Sequence, residues 1–143
     1  MPGLTNPTMQ TVAERLRTFA EGHLEIQAVF IFGSLPAGTL HEHSDVDVAV
    51  FLQNDADNIK YVELSLAYCV ELEDRLNSPV DVVILNSASP MLRSQVFRKG
   101  KMVYTTDLNR TRRFIGDAMV EFYDEILVLE KMQSRTIRRI IGR

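Results

Sequence analysis

Ile26-Gln27-Ala28-Val29-Phe30-Ile31-Phe32-Gly33-Ser34, then ten residues, then Asp45-Val46-Asp47-Val48-Ala49-Val50-Phe51-Leu52: this stretch decides how the chain is read. The run Ile26 to Phe32 is almost wholly apolar, which predicts a buried strand. Asp45 to Leu52 alternates, with Asp45, Asp47 and Ala49 on one face and Val46, Val48 and Val50 on the other. Two acids at i and i+2 of a strand project from the same face with Cα atoms about 6.5 Å apart. Both carboxylates can then grip one divalent cation or bridge two. Ligation by oxygen alone favours magnesium or manganese. Gly33-Ser34 follows the first strand directly, where glycine lets backbone approach a ligand and turn N–H groups form a nest for anions. The Ser34 hydroxyl adds a donor.

A third acid, Asp81, is the single charge in the strand-like run Pro79 to Leu85. Burying an unpaired carboxylate is costly, so such an acid needs a cation, a hydrogen-bonding partner or an exposed face. A metal shared with Asp45 and Asp47 supplies one. Anion-binding backbone on one side and carboxylates on the other fit together when magnesium lies between them, which describes a metal-bridged triphosphate site.

The flanking sequence alternates helices and strands without a repeat or a Gly/Ser linker. Met9, Val12, Leu16 and Phe19 predict a first helix ending near Gly22. Gly33 to Ser44 reads as turn or short helix. After a loop, Gln53 to Asp57, with Asp57 as cap, a helix runs from about Ile59 to Leu76 with Val62, Leu66, Cys69 and Leu72 or Glu73 along its apolar stripe. Pro79 to Leu85 is the third strand, with Pro79 at its start. Ser89-Pro90 is a cap followed by a first helical residue, opening a short helix that Gly100 closes. Lys101 to Thr105 reads as an edge strand. Leu108, Ile115, Met119, Phe122, Ile126 and Leu129 keep helical spacing over six turns. The expectation is an α+β fold: a small mixed sheet flanked by helices, with a long C-terminal helix that exceeds what the sheet can cover and so points to a partner.

Composition agrees with one domain. The chain has 143 residues, 45% hydrophobic and 24% charged, enough for one buried core and too few for two. The core is expected over about residues 10–106, with the helix and a basic tail over about 107–143. A net charge of -3 provides no whole-molecule field for nucleic acid. No apolar run approaches the ~20 residues of a membrane span. One cysteine, Cys69, and no leader-like N-terminus predict a cytoplasmic protein in which Cys69 packs in the core. Residues 132–143 hold four arginines and no acid, either a solvated end or a docking tail for an acidic surface or RNA.

The Gly-Ser, ten-residue spacer, Asp-x-Asp and later strand carboxylate resemble the nucleotidyltransferase fold related to DNA polymerase beta, in its minimal single-domain branch. Gly33 to Thr39, Ser44 to Val50, Val80 to Val83, Ser87-Ala88-Ser89 and Gly100-Lys101 look like MntA-type antitoxins, over roughly residues 10–130. The resemblance implies an antitoxin adenylyltransferase that moves AMP from ATP onto tyrosine of a HEPN-domain ribonuclease toxin, its partner in a hetero-oligomer. It further implies that Gly33 and Ser34 hold the triphosphate and that Asp45 and Asp47 ligate magnesium. Asp81 would bind the catalytic metal and act at or near the general base. The alternatives are a binding module that blocks the toxin sterically and a nucleotidyltransferase acting on a small molecule. Leu35 and Pro36 stand where a basic residue often follows Gly-Ser, so the cation neutralising the triphosphate must come from elsewhere, with Arg93, Lys99, Lys101 or the partner as candidates. His41-Glu42-His43 reads as a solvated loop near the site. Arg110, Arg112 and Arg113 oppose the dipole at the start of the long helix, so local stability does not explain them. Tyr104 and Tyr123 fit strand and helix packing better than self-modification.

Overall fold

The computed structural model describes residues 8–33 and 45–141. The described elements run α1 (Met9–Glu21), β1 (Ile26–Phe32), β2 (Val46–Leu52), α2 (Asn58–Leu76), β3 (Val80–Ile84), α3 (Pro90–Lys99), β4 (Lys101–Thr105) and α4 (Leu108–Ile141). One mixed sheet has the order β3-β2-β1-β4, with β1 antiparallel to β2 and β4, and β2 parallel to β3. The fold is thus α+β, as the alternation of elements predicts.

Local chemistry sets the helix ends. The side chains of Thr8, Asp57 and Ser89 accept the N–H groups of Thr11, Lys60 and Leu92, and Pro90 opens α3. Asp107 accepts the N–H of Arg110 at the start of α4. Gly22 and Gly100 cap α1 and α3, while α2 ends on Asn77 in the left-handed conformation.

The sheet has two differently furnished faces. Val29 and Ile31 of β1 and Val46, Val48 and Val50 of β2 join Val12, Leu16 and Phe19 of α1 and Tyr68, Leu72 and Leu76 of α2 in the larger core. Ala28, Phe30, Ala49 and Phe51 on the other face meet Leu85, Val96 of α3 and Phe114 of α4. The period-two reading of β2 therefore holds: its valines enter the larger core, and its acids share the α3–α4 side with Ala49.

α2 departs from the expected stripe. Its buried residues are Tyr61, Tyr68, Leu72 and Leu76, whereas Val62 and Leu66 are exposed. The two tyrosines win the interior because each hydroxyl finds a partner, Tyr61 accepting the Ala56 N–H at 2.8 Å and Tyr68 donating to Glu25 at 2.8 Å. Cys69 is half-buried at the sheet edge and belongs to neither core. α4 covers the sheet only with its first half: Thr111, Ala118 and Phe122 are buried, while Leu127, Val128, Leu129 and Met132 lie exposed. The helix includes the expected tail as far as Ile141 and measures about 51 Å at 1.5 Å per residue. Among the described residues no helix is long and apolar enough to cross a membrane.

Candidate active site

The acids assemble through strand register. Asp47 lies opposite Phe32 of β1 on one side and Asp81 of β3 on the other. The end of β1, Asp47 and Asp81 thus form a row across three adjacent strands, at the end of the face that α3 and α4 leave open. Asp45 immediately precedes β2 and is exposed, as is Asp81, while Asp47 is partly buried.

Gly33 closes β1 at φ 76°. A Cβ built there would stand 2.1 Å from Asp47 Oδ2 and 3.0 Å from its Cγ. Glycine is therefore required twice, by the positive φ and by the carboxylate lying against the backbone. Ser34 and His41-Glu42-His43 lie outside the described residues. Gly100 has a similar role in the adjoining strand connection, where an added Cβ would meet the Ile31 carbonyl oxygen at 2.8 Å and Phe32 Cβ at 3.2 Å.

Burial first, then the charge of Asp81, then that of Asp45 push the Asp47 carboxyl above its ordinary range. Partly buried negative charge beside two more acids is what a divalent cation relieves. Among the described residues no three His, Cys, Asp or Glu side chains already converge on one point. A rim of oxygen donors nevertheless fits magnesium or manganese, because magnesium is usually held by one or two carboxylates, with substrate phosphates and water completing its octahedron.

Of the suggested cations, Arg93 is excluded. Its Nε donates to the Leu85 carbonyl at 2.8 Å and its Nη2 to that of Asn86 at 2.9 Å, its guanidinium lies over the Phe114 ring, and Glu121 pairs with it. These contacts sit past the C-terminal end of β3, away from Asp81. Arg110 is also a structural tie, donating to the side chain and the carbonyl of Gln53 after β2. Lys101 pairs with Ile31, whose side chain faces the larger core, so register puts it on the side opposite the acids. Lys99 ends α3, beside the Gly100 contact with β1, and is the candidate that the fold leaves on the acid side.

Two residues beside the site are not marked as functional by the sequence. Cys69 donates to the Val80 carbonyl at 2.8 Å, and Glu73, one turn later on α2, accepts the Val80 N–H at 3.3 Å. Their signal is an i, i+4 pair of polarisable side chains on a helix that leads into the strand bearing Asp81. A space of about 680 Å³ follows the Asp117 to Leu129 stretch of α4, and one of about 430 Å³ lies between Phe51, Asn86, Arg93 and Arg110 at the far end.

Comparison with known proteins gives the family. Residues 14–109 match the family described as "Polymerase beta, Nucleotidyltransferase". The protein adenylyltransferase MntA of Shewanella oneidensis is 40% identical over 82 residues, which are 57% of this chain and 56% of that protein. The match therefore spans a little over half of the relative's length. Among solved structures, a chain of a toxin–antitoxin complex with AMP-PNP superposes with a TM-score of 0.64 at 28% identity, covering 90% of this chain and 98% of that one. A chain of the MntA–HepT toxin–antitoxin complex does so with a TM-score of 0.60 at 25% identity, covering 93% and 99%.

Proposed function

Because the chain belongs to the polymerase beta nucleotidyltransferase family, we propose that it transfers AMP from ATP to a tyrosine of a cognate HEPN-domain toxin in the cytoplasm, silencing that toxin as its antitoxin. The observation that carries the proposal is the row of Gly33, Asp47 and Asp81 across three strands, with Gly33 in contact with the Asp47 carboxylate. A relative named for adenylyl transfer and a structural neighbour bound to an ATP analogue support the same chemistry.

In this reading the tyrosine oxygen attacks the α-phosphorus of ATP in line. An O–P bond forms, the α–β phosphoanhydride bond breaks, and pyrophosphate leaves. Asp45 and Asp47 hold the nucleotide-bound magnesium. Magnesium supplies charge neutralisation at the phosphoryl oxygens and lowers the cost of the leaving pyrophosphate. Asp81, on an edge strand and open to solvent, would bind the catalytic metal with Asp45 and Asp47 and act at or near the general base that receives the tyrosine proton. Gly33 and Ser34 present backbone N–H groups and a hydroxyl to the triphosphate, and Lys99 supplies the cation that Leu35 and Pro36 cannot.

Docking of the toxin falls to α4. Its distal half carries an exposed apolar set and ends in Arg135, Arg138 and Arg139, an amphipathic surface that no element among the described residues covers. That same feature favours a second reading, a binding module that blocks the toxin sterically. The two separate in an assay with the toxin, magnesium and ATP labelled on the α- or the γ-phosphate. We expect α-label on the toxin, and at least a hundredfold less with Asp45→Asn or Asp47→Asn. Transfer of γ-label would instead mean a kinase. A stable complex that takes up no label while the toxin stays inhibited would establish the binding module.

A further inference from the structure

β3 is one of the two edge strands of the sheet and only five residues long, so among the described residues the backbone that carries Asp81 has a ladder on one side alone. The parallel register fixes which groups look outward. Val46 N–H donates to the Pro79 carbonyl at 2.9 Å, and Val46 and Val80 are register partners. In a parallel ladder the residue bracketed in this way turns its own N–H and C=O away from the neighbouring strand. Val80 is that residue. Both its outward groups are taken by one helix, the N–H by Glu73 Oε1 at 3.3 Å and the carbonyl by Cys69 Sγ at 2.8 Å. The thiol also lies 3.6 Å from the Glu73 carboxylate, so the two side chains form one unit around one peptide residue.

We propose that Cys69 and Glu73 are positioning residues that clamp Val80 and thereby fix the direction of the Asp81 carboxylate relative to Asp47. Val80 immediately precedes Asp81, and Asp81 is the register partner of Asp47. With both peptide groups of Val80 held from the helix side, the backbone torsions leading to Asp81 are set on two sides, as an interior strand sets them. Exposed edge strands that lack such partners fray. Here fraying would change the separation of the two acids, and separation decides whether they can share one divalent cation. Neither residue touches substrate; each acts through Val80. The inference rests on the metal-dependent transfer proposed above.

Cys69→Ala, Glu73→Ala and the double variant remove the clamp, whereas Cys69→Ser keeps a donor to the Val80 carbonyl. The control is Ser89→Ala, which removes the α3 cap and leaves the clamp intact. Three readouts are taken on the full chain: kcat and KM for ATP in α-label transfer, manganese binding by electron paramagnetic resonance, and amide exchange at Val80 and Asp81. Removal of outer-shell partners of metal ligands typically costs 10- to 100-fold. We expect the double variant to lose about tenfold or more in kcat and in manganese affinity, with KM for ATP within about twofold of wild type. Exchange at Val80 should accelerate, and Cys69→Ser should restore most of the loss. Manganese affinity and kcat that stay at wild-type values in the double variant overturn the clamp, as does a matching loss in Ser89→Ala. Wild-type protein that neither binds manganese nor transfers label overturns the underlying reading itself, and the clamp with it.

Discussion

Gly33 couples backbone conformation to the chemistry of a single carboxylate. Its φ of 76° already disfavours an L side chain, and the added Cβ of alanine would overlap Asp47 Oδ2 at 2.1 Å. Relief requires either a change in the end of β1 or rotation of the Asp47 side chain, and both displace the row of acids. Gly33→Ala is therefore expected to lose at least a hundredfold in transfer, while destabilising the fold by only about 1–3 kcal/mol, the usual cost of a strained conformation. Thermal unfolding beside α-label transfer checks the pair; a variant that folds and retains near-wild-type transfer would contradict the proposed contact. At this scale the sequence is informative. Asp45, Asp47 and Asp81 are visible because acids interrupt apolar strands, and such interruptions call for a partner. The Cys69–Glu73 clamp is not visible, because the pairing of α2 side chains with Val80 depends on which strand forms the edge, and no local pattern encodes that order.

α1, α2 and the loop before β1 meet at a polar cluster on the flank of the larger core. The His23 ring nitrogens lie 3.1 Å from Glu25 and 2.9 Å from Glu71, and the Tyr68 hydroxyl donates to Glu25 at 2.8 Å. Burial works to raise the Glu25 carboxyl, but its backbone N–H, the Tyr68 hydroxyl and His23 outweigh burial and hold it below the ordinary carboxylate range. A depressed native value means that the unfolded chain binds the proton more readily. The stabilisation is present above the ordinary carboxylate range and is lost as pH falls through the native value. The melting temperature of wild type should exceed that of Glu25→Gln at pH 7, and the gap should narrow progressively as pH falls below the ~4.3 of an unperturbed glutamate. A gap independent of pH would show that Glu25 stabilises by packing alone. Apart from the C-terminal end of α4, which runs on through the expected tail, element boundaries are legible to within about two residues because caps and breakers announce them: Asp57, Ser89-Pro90, Gly22 and Gly100. The buried face of α2 differs from the expected one for a physical reason. Ile59, Val62, Leu66 and Val70 form a real apolar stripe at helical spacing, but it faces solvent, and the tyrosines fill the interior. Periodicity shows that a face exists without showing which face the sheet receives.

Across the whole molecule, charge and length are distributed along one axis. The sheet, with its acids at one end, is a compact body, and α4 extends from it by a half-helix whose apolar residues Leu127, Leu129, Met132, Ile137 and Ile140 are more than half exposed. Within that half, Glu130 is followed by Lys131, Arg135, Arg138 and Arg139 with no further acid. A helix of this kind gains little from its own domain, since most helical stability in proteins comes from packing of an apolar face. Ending the chain after Ile126 keeps Thr111, Ala118 and Phe122 in place and removes turns whose described residues are all exposed. The truncated protein should therefore melt within about 4 °C of wild type, corresponding to a change of roughly 1 kcal/mol or less. Its manganese and ATP affinities should be unchanged, because the deleted turns carry none of the three acids and none of the residues that set their register. Its Kd for the toxin should rise by about tenfold or more, equivalent to the loss of about 1.4 kcal/mol of binding energy. Titration calorimetry with the toxin, alongside manganese binding, measures both quantities on one sample. If the toxin binds the truncated chain as tightly as the full one, docking moves to the exposed α2 stripe, whose Leu66 then becomes the position to charge.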